Sequence, residues 1–149
     1  MILGWIKVSH AAAMATLFNV ALPAHAWEFT PTPICTLTHT EEAASVELTY
    51  DHSTALYSIN VTTPQGWPTA PAFSIRFDGP QPGLISTARH QIVGDTISVS
   101  DSGFGNVLDG LEINTSATAF TETTSVTVSL DGAAEPVARF RGCTDAPIA

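Results

Sequence analysis

The sequence predicts a mostly β, single-domain fold, an antiparallel β-sandwich or small barrel with one short C-terminal helix, and three observations carry that reading. Apolar residues recur at every second position in six short runs, turn-forming residues separate the runs at short intervals, and threonine occurs nineteen times after residue 26. Alternation with period two is the mark of a strand with one face buried and one solvated. Threonine fits such pleated, half-wet surfaces better than it fits helices.

The chain opens with an export segment. Lys7 supplies a positive start, Ala11 to Leu22 an apolar stretch, and Pro23-Ala24-His25-Ala26 a small-x-small cleavage site ahead of Trp27. The apolar stretch is interrupted by Thr16 and Asn19 and falls short of the ~20 residues that span a bilayer, so residues 1–26 read as a signal peptide rather than an anchor. Residues 27–149 then form one β-rich domain, and no stable membrane insertion is expected once the signal is removed.

Six strands follow from the alternation. They run through Cys35-Leu37-His39, Val46-Leu48-Tyr50, Tyr57-Ile59-Val61 against Leu56-Ser58-Asn60, Phe73-Ile75-Phe77, Ile97-Val99 and Val126-Val128-Leu130. Asp51-His52-Ser53-Thr54, Asp78-Gly79-Pro80, Pro82-Gly83 and Gly94-Asp95 carry the turns between them. Thr63 to Ala72, with three prolines, reads as a semi-rigid loop bearing Trp67. Ser100 to Asn114 fits either a turn of helix or a bulged strand. Ala133 to Arg141 is the one longer helix candidate, since Ala133, Val137 and Phe140 share a face and Pro136 falls in the first turn.

Cys35 and Cys143 are the only cysteines. In an exported chain, a pair without C-x-x-C spacing points to a disulfide rather than a zinc ribbon or thioredoxin-like centre. Such a bridge requires the first and last elements to be neighbours, because its α-carbons must lie within about 7 Å.

Charge narrows the partners. Beyond residue 26 four arginines face fourteen Asp and Glu, a formal charge of −10. A surface of this sign repels phosphate backbones, so nucleic acid is not expected as a partner. An envelope protein or a glycan is.

Several stretches carry a resemblance. Trp27-Glu28-Phe29-Thr30-Pro31, Ile75-Arg76-Phe77-Asp78-Gly79, Gly103 to Leu111 and Leu130 to Ala134 resemble a group of small exported alphaproteobacterial proteins of unknown function. Members of that group are sometimes called excinucleases. This chain does not support that description, having no G-x-x-x-x-G-K-[ST] phosphate loop. The segment Val126 to Phe140 is similar to the end of invasion-associated locus B proteins, which implies at most a shared exported β-rich fold.

Candidate sites remain. Trp67, Tyr57, Arg89 and His90 are candidate ligand contacts, Trp67 as a rigid loop aromatic of the kind that anchors a sugar or peptide. Trp27 is a further candidate for the same platform. His39, His52 and His90 could serve a small hydrolase or metal-dependent enzyme if they converged with acids, yet no His-x-x-x-His spacing occurs. Ser102 lacks the G-x-S-x-G setting of a hydrolase nucleophile, and Asp101 to Asp109 does not follow a calcium-loop pattern. Asn60-Val61-Thr62 and Asn114-Thr115-Ser116 match the N-x-[ST] acceptor pattern, a match that chance explains in so threonine-rich a chain. No catalytic residue, cofactor or metal is assigned, and the expectation is a non-enzymatic periplasmic or secreted domain with a binding or structural role in the envelope.

Overall fold

The computed structural model describes residues 26–146. All but the last residue of the expected signal peptide, residues 1–26, lies outside the described residues.

Among the described residues ten strands and two helices follow one another. The strands are β1 (Glu28–Thr30), β2 (Cys35–Thr40), β3 (Ser45–Asp51), β4 (Leu56–Thr62), β5 (Phe73–Asp78), β6 (Gly83–Thr87), β7 (Gln91–Val93), β8 (Thr96–Asp101), β9 (Ser116–Phe120) and β10 (Ser125–Ser129). Helix α1 (Gly105–Ile113) joins β8 to β9, and α2 (Ala134–Thr144) ends the domain. Two antiparallel sheets result, one of six strands in the order β1-β2-β3-β4-β8-β7 and one of four in the order β10-β9-β5-β6. The sandwich expected from the alternation is therefore present.

The expected inward rows are buried, with Tyr50, Tyr57 and Val99 half-buried at their ends. Leu37, Leu48, Val61 and Ile97 from the larger sheet meet Phe73, Phe77, Val126 and Val128 from the smaller. On β4 it is Tyr57, Ile59 and Val61 that face inward, while Ser58 and Asn60 face out. That outer face explains much of the hydroxyl content: Ser58 meets Ser100 at 2.8 Å, Thr62 meets Thr96 at 2.8 Å, and Asn60 takes a hydrogen bond from Ser98 at 2.7 Å. Such cross-strand pairs hold register as side-chain neighbours do in any antiparallel sheet.

The turns follow the residues that build them. Gly94 adopts φ +62° in the two-residue connection between Val93 and Thr96, a backbone that glycine enters without a Cβ penalty. The Asp51 turn is a four-residue loop closed by the Asp51–Leu56 pair, with Ser53 donating to the Asp51 carboxylate through both its amide and its hydroxyl.

The ambiguous 100–114 segment resolves as the end of β8 and helix α1. Its place is set by Gly110, where a Cβ would lie 2.5 Å from the Phe77 ring. The helix thus rides directly on the small sheet's core aromatic. Asn114 at its end is buried; its Nδ2 donates to the Gly110 carbonyl at 3.1 Å and its Oδ1 accepts from the Gln81 amide at 2.9 Å. Helix α2 begins one residue later and runs three residues further than the alternation suggested, with Pro136 in its first turn as required. Its Val137 and Phe140 are fully buried.

Cys35 and Cys143 form the expected disulfide, with α-carbons 6.0 Å apart and a sequence separation of 108. Helix α2 is thereby tied across the ends of β1 and β2. Replacing both cysteines by alanine should cost about 2–5 kcal/mol. At about 4–8 °C per kcal/mol for a domain near 100 residues, thermal melting should drop by roughly 10 °C or more, and a shift of only a degree or two would show the clasp to be dispensable. Gly110→Ala should destabilise by about 1–3 kcal/mol through overpacking against Phe77, despite alanine's better helix propensity. Chemical denaturation of the variant checks this, with an unchanged or raised midpoint as the contrary result.

Candidate functional site

The two sheets part along one side, where β6 ends the smaller sheet and β8 lies next to the edge of the larger. A cleft of about 470 Å³ opens there, floored by Phe73, Ile75, Ile85, Val99, Phe104 and Val107. Its rim is polar, with Ser86, Thr87, Arg89, Asp101 and Asn106. An apolar floor of this volume with a few converging polar groups is the usual form of a small-molecule site.

Arg89 is aimed by its own backbone. Its amide donates to Thr87 Oγ1 at 3.0 Å, and the next residue, His90, is turned inward, Nε2 meeting the Ala70 carbonyl at 2.9 Å. The guanidinium is left to close on Asp101, Nη2 to Oδ2 at 3.0 Å, across the mouth of the cleft. Asp101 is held below the ordinary aspartate value of 3.8, chiefly by the Ser102 amide donating to its carboxylate; desolvation opposes this, and the Arg89 charge lowers it to a lesser extent. The pair therefore presents a donor and an ionised acceptor side by side.

A larger groove of about 890 Å³ lies between β1, the end of α1 and the start of α2. Despite its size it is the weaker candidate. Four carboxylates, Glu28, Glu112, Asp131 and Glu135, line it against one arginine, Arg139, which makes it a poorer host for an apolar body.

The residues singled out in the sequence are dispersed. Trp67 is 4% exposed, donates Nε1 to the Val61 carbonyl at 3.0 Å and stands edge-on to Phe73, so it seals one end of the core and offers no open ring face. Tyr57 belongs to an aromatic cluster with Tyr50, Phe104 and Phe140 behind the cleft. Trp27 is buried too, stacked on His39 with ring centroids 4.5 Å apart and donating Nε1 to the Ser129 carbonyl. Of the four candidate ligand contacts, Arg89 alone lines the cleft, with His90 anchoring the segment that carries it.

The three candidate histidines occupy three separate places. His39 Nε2 meets Glu41 at 2.9 Å beneath the Trp27 ring, with its side chain 1% exposed. His90 faces Ala70, and His52 lies against the disulfide. Asp101 and Asp109 also part, the first to Arg89 and the second to Arg141. Of the two N-x-[ST] asparagines, Asn114 is buried and Asn60 lies between Glu47 and Ser98.

One grouping escaped the sequence reading. Cys35, His52 and Cys143 bring a nitrogen and two sulfurs within 4.8 Å of one another. The signal lay in the register: Tyr50 pairs with Cys35, so His52, two residues on, returns to the cysteine's side of the sheet.

Compared with protein-family models, with curated proteins and with solved structures, the chain matches none. No helix among the described residues is long and apolar enough to cross a membrane.

Because the folded Asp101 value is depressed, its contribution holds above the unfolded value and is lost as pH falls through the lower folded one. A carboxyl NMR titration should place the midpoint below 3.8. Arg89→Gln should raise it only part of the way, since the Ser102 amide remains. A full return to the ordinary value in that variant would make Arg89 the principal cause and contradict the geometry.

Proposed function

We propose that this protein is a non-enzymatic domain, exported to the periplasm or beyond, that binds a small amphipathic ligand in the cleft between its sheets. The ligand class has an apolar body and a neutral hydroxyl- or amide-bearing head. A head of that kind can accept from Arg89 and donate to Asp101 together. A carboxylate head is disfavoured beside the ionised Asp101, and a wholly apolar ligand would leave the charge pair unanswered.

The single observation that carries the reading is the Arg89–Asp101 pair at 3.0 Å standing over an apolar floor. Export is supported by the sequence of residues 1–26 and by the disulfide, which persists in oxidising compartments. A binding role is favoured over catalysis by the dispersal of the histidines: His39 is shielded by Trp27, and neither His39 nor His52 lines the cleft.

Displacement of a neutral solvatochromic dye by alkyl glycosides, monoacylglycerols and N-acyl amides tests the proposal. Micromolar displacement by at least one class is expected. Val99→Trp, which fills the cleft floor, should weaken it by about tenfold or more, equivalent to ~1.4 kcal/mol, with the far-UV spectrum unchanged. Binding that Val99→Trp leaves intact would place the ligand elsewhere, and no displacement by any class would remove the amphipathic-ligand reading.

A further inference from the structure

A disulfide that serves only as a staple has no need of an imidazole, yet His52 stands against this one. Its Nε2 lies 3.7 Å from Cys35 Sγ and 3.0 Å from the Cys143 carbonyl oxygen. The ring is held edge-on to Tyr50, centroids 4.9 Å apart and planes at 88°. Three donors from three elements, strand β2, the β3–β4 loop and helix α2, therefore meet at one point.

We propose that reduction of the Cys35–Cys143 bond converts this point into a binding site for a thiophilic divalent cation of the zinc type, held by Cys35, Cys143 and His52. The spacing supports it. With metal–sulfur bonds near 2.3 Å and metal–nitrogen bonds near 2.0–2.1 Å, a tetrahedral centre places neighbouring nitrogen and sulfur ligands about 3.6 Å apart. The His52–Cys35 distance already has that value, and all three donors lie within 4.8 Å. Once the bond between them is cleaved, the two sulfurs need only move apart from bonding distance to ligand spacing. Three protein ligands leave a fourth position for water.

The chemistry balances with a dithiol as reductant. Its thiolate attacks the sulfur of Cys143, the half-buried partner, since Cys35 is 1% exposed. Cys35 leaves as the thiolate, the mixed disulfide resolves to a cyclic disulfide of the reductant, and both protein thiols are released. The cation then displaces one proton from each thiol. His52 binds through the Nε2 lone pair, its ring proton moving to Nδ1 as the bond to the Cys143 carbonyl is given up. The net change is one dithiol oxidised, one disulfide reduced, one cation bound and two protons released. A covalent clasp between β2 and α2 is exchanged for a coordinate one, so the helix stays docked.

The test uses the whole mature domain, reduced anaerobically with dithiothreitol and freed of it by gel filtration. Titration with Co²⁺ should give a thiolate-to-cobalt charge-transfer band and the visible bands of tetrahedral cobalt, saturating at one equivalent and bleached by Zn²⁺. The oxidised protein should give neither. His52→Ala should weaken binding by about tenfold or more, as loss of groups at a metal site typically does. Should reduction loosen the fold, Zn²⁺ is expected to restore the far-UV spectrum and to raise the melting temperature of the reduced protein, because binding to the folded state adds to its stability. A cobalt spectrum unaffected by His52→Ala would overturn the three-ligand site, and so would reduced protein that neither binds cobalt nor is stabilised by zinc.

Discussion

The bond between Cys35 and Cys143 organises the molecule, because it fixes where helix α2 lies. It closes a separation of 108 residues. Loops near that length gain roughly 4.7 kcal/mol from the restricted unfolded chain, a large share of the net stability of a small domain. From the clasp the constraint passes inward. Helix α2 buries Val137 and Phe140, and its Arg141 reaches Asp109 and Glu112 on α1. Helix α1 in turn seats Gly110 on Phe77. The covalent link at one end of the sandwich thus bears on the helix that walls the cleft between the sheets.

The sandwich is closed unevenly, and that unevenness creates the cleft. On the β1 and β10 side, Trp27 bridges the sheets to the Ser129 carbonyl, and Glu41 takes the Ser129 amide at 2.7 Å. Trp67 seals another approach by donating to Val61 and packing on Phe73. Where β6 faces β8 no bulky aromatic bridges the gap. Ile85 and Val99 are left half-buried, and the Arg89–Asp101 pair spans the opening. A charge pair at a mouth can exchange its partners for a ligand's polar groups, which a tryptophan plug cannot. The cleft thus lies on the side that the core left incompletely filled.

The acidic surface fits the same arrangement. Arg76, Arg89, Arg139 and Arg141 are each engaged by a carboxylate. Exposed pairs of this kind contribute little stability. With all four arginines so engaged, the excess of Asp and Glu sets the sign of the domain's field.

Much of the architecture was legible because its causes are local. Alternation in Val46-Leu48-Tyr50 or Phe73-Ile75-Phe77 reports burial of one strand face whatever the partner, and Gly94-Asp95 specifies its own turn. The two cysteines announced their pairing by number and by the export that residues 1–26 predict. Helix α1 was not legible, since its glycines argue against a helix and only contact with Phe77 makes Gly110 the fitting residue. Trp67 stood as a candidate ligand contact until its depth was known. The meeting of Arg89 with Asp101, and of His52 with the cysteines, depended on how one sheet crosses to the other and on strand register. The amino-acid order by itself determined strand, turn and clasp. Which side chains face one another across the gaps was decided by tertiary packing, because those encounters join residues 12 to 108 positions apart through contacts that no local pattern encodes.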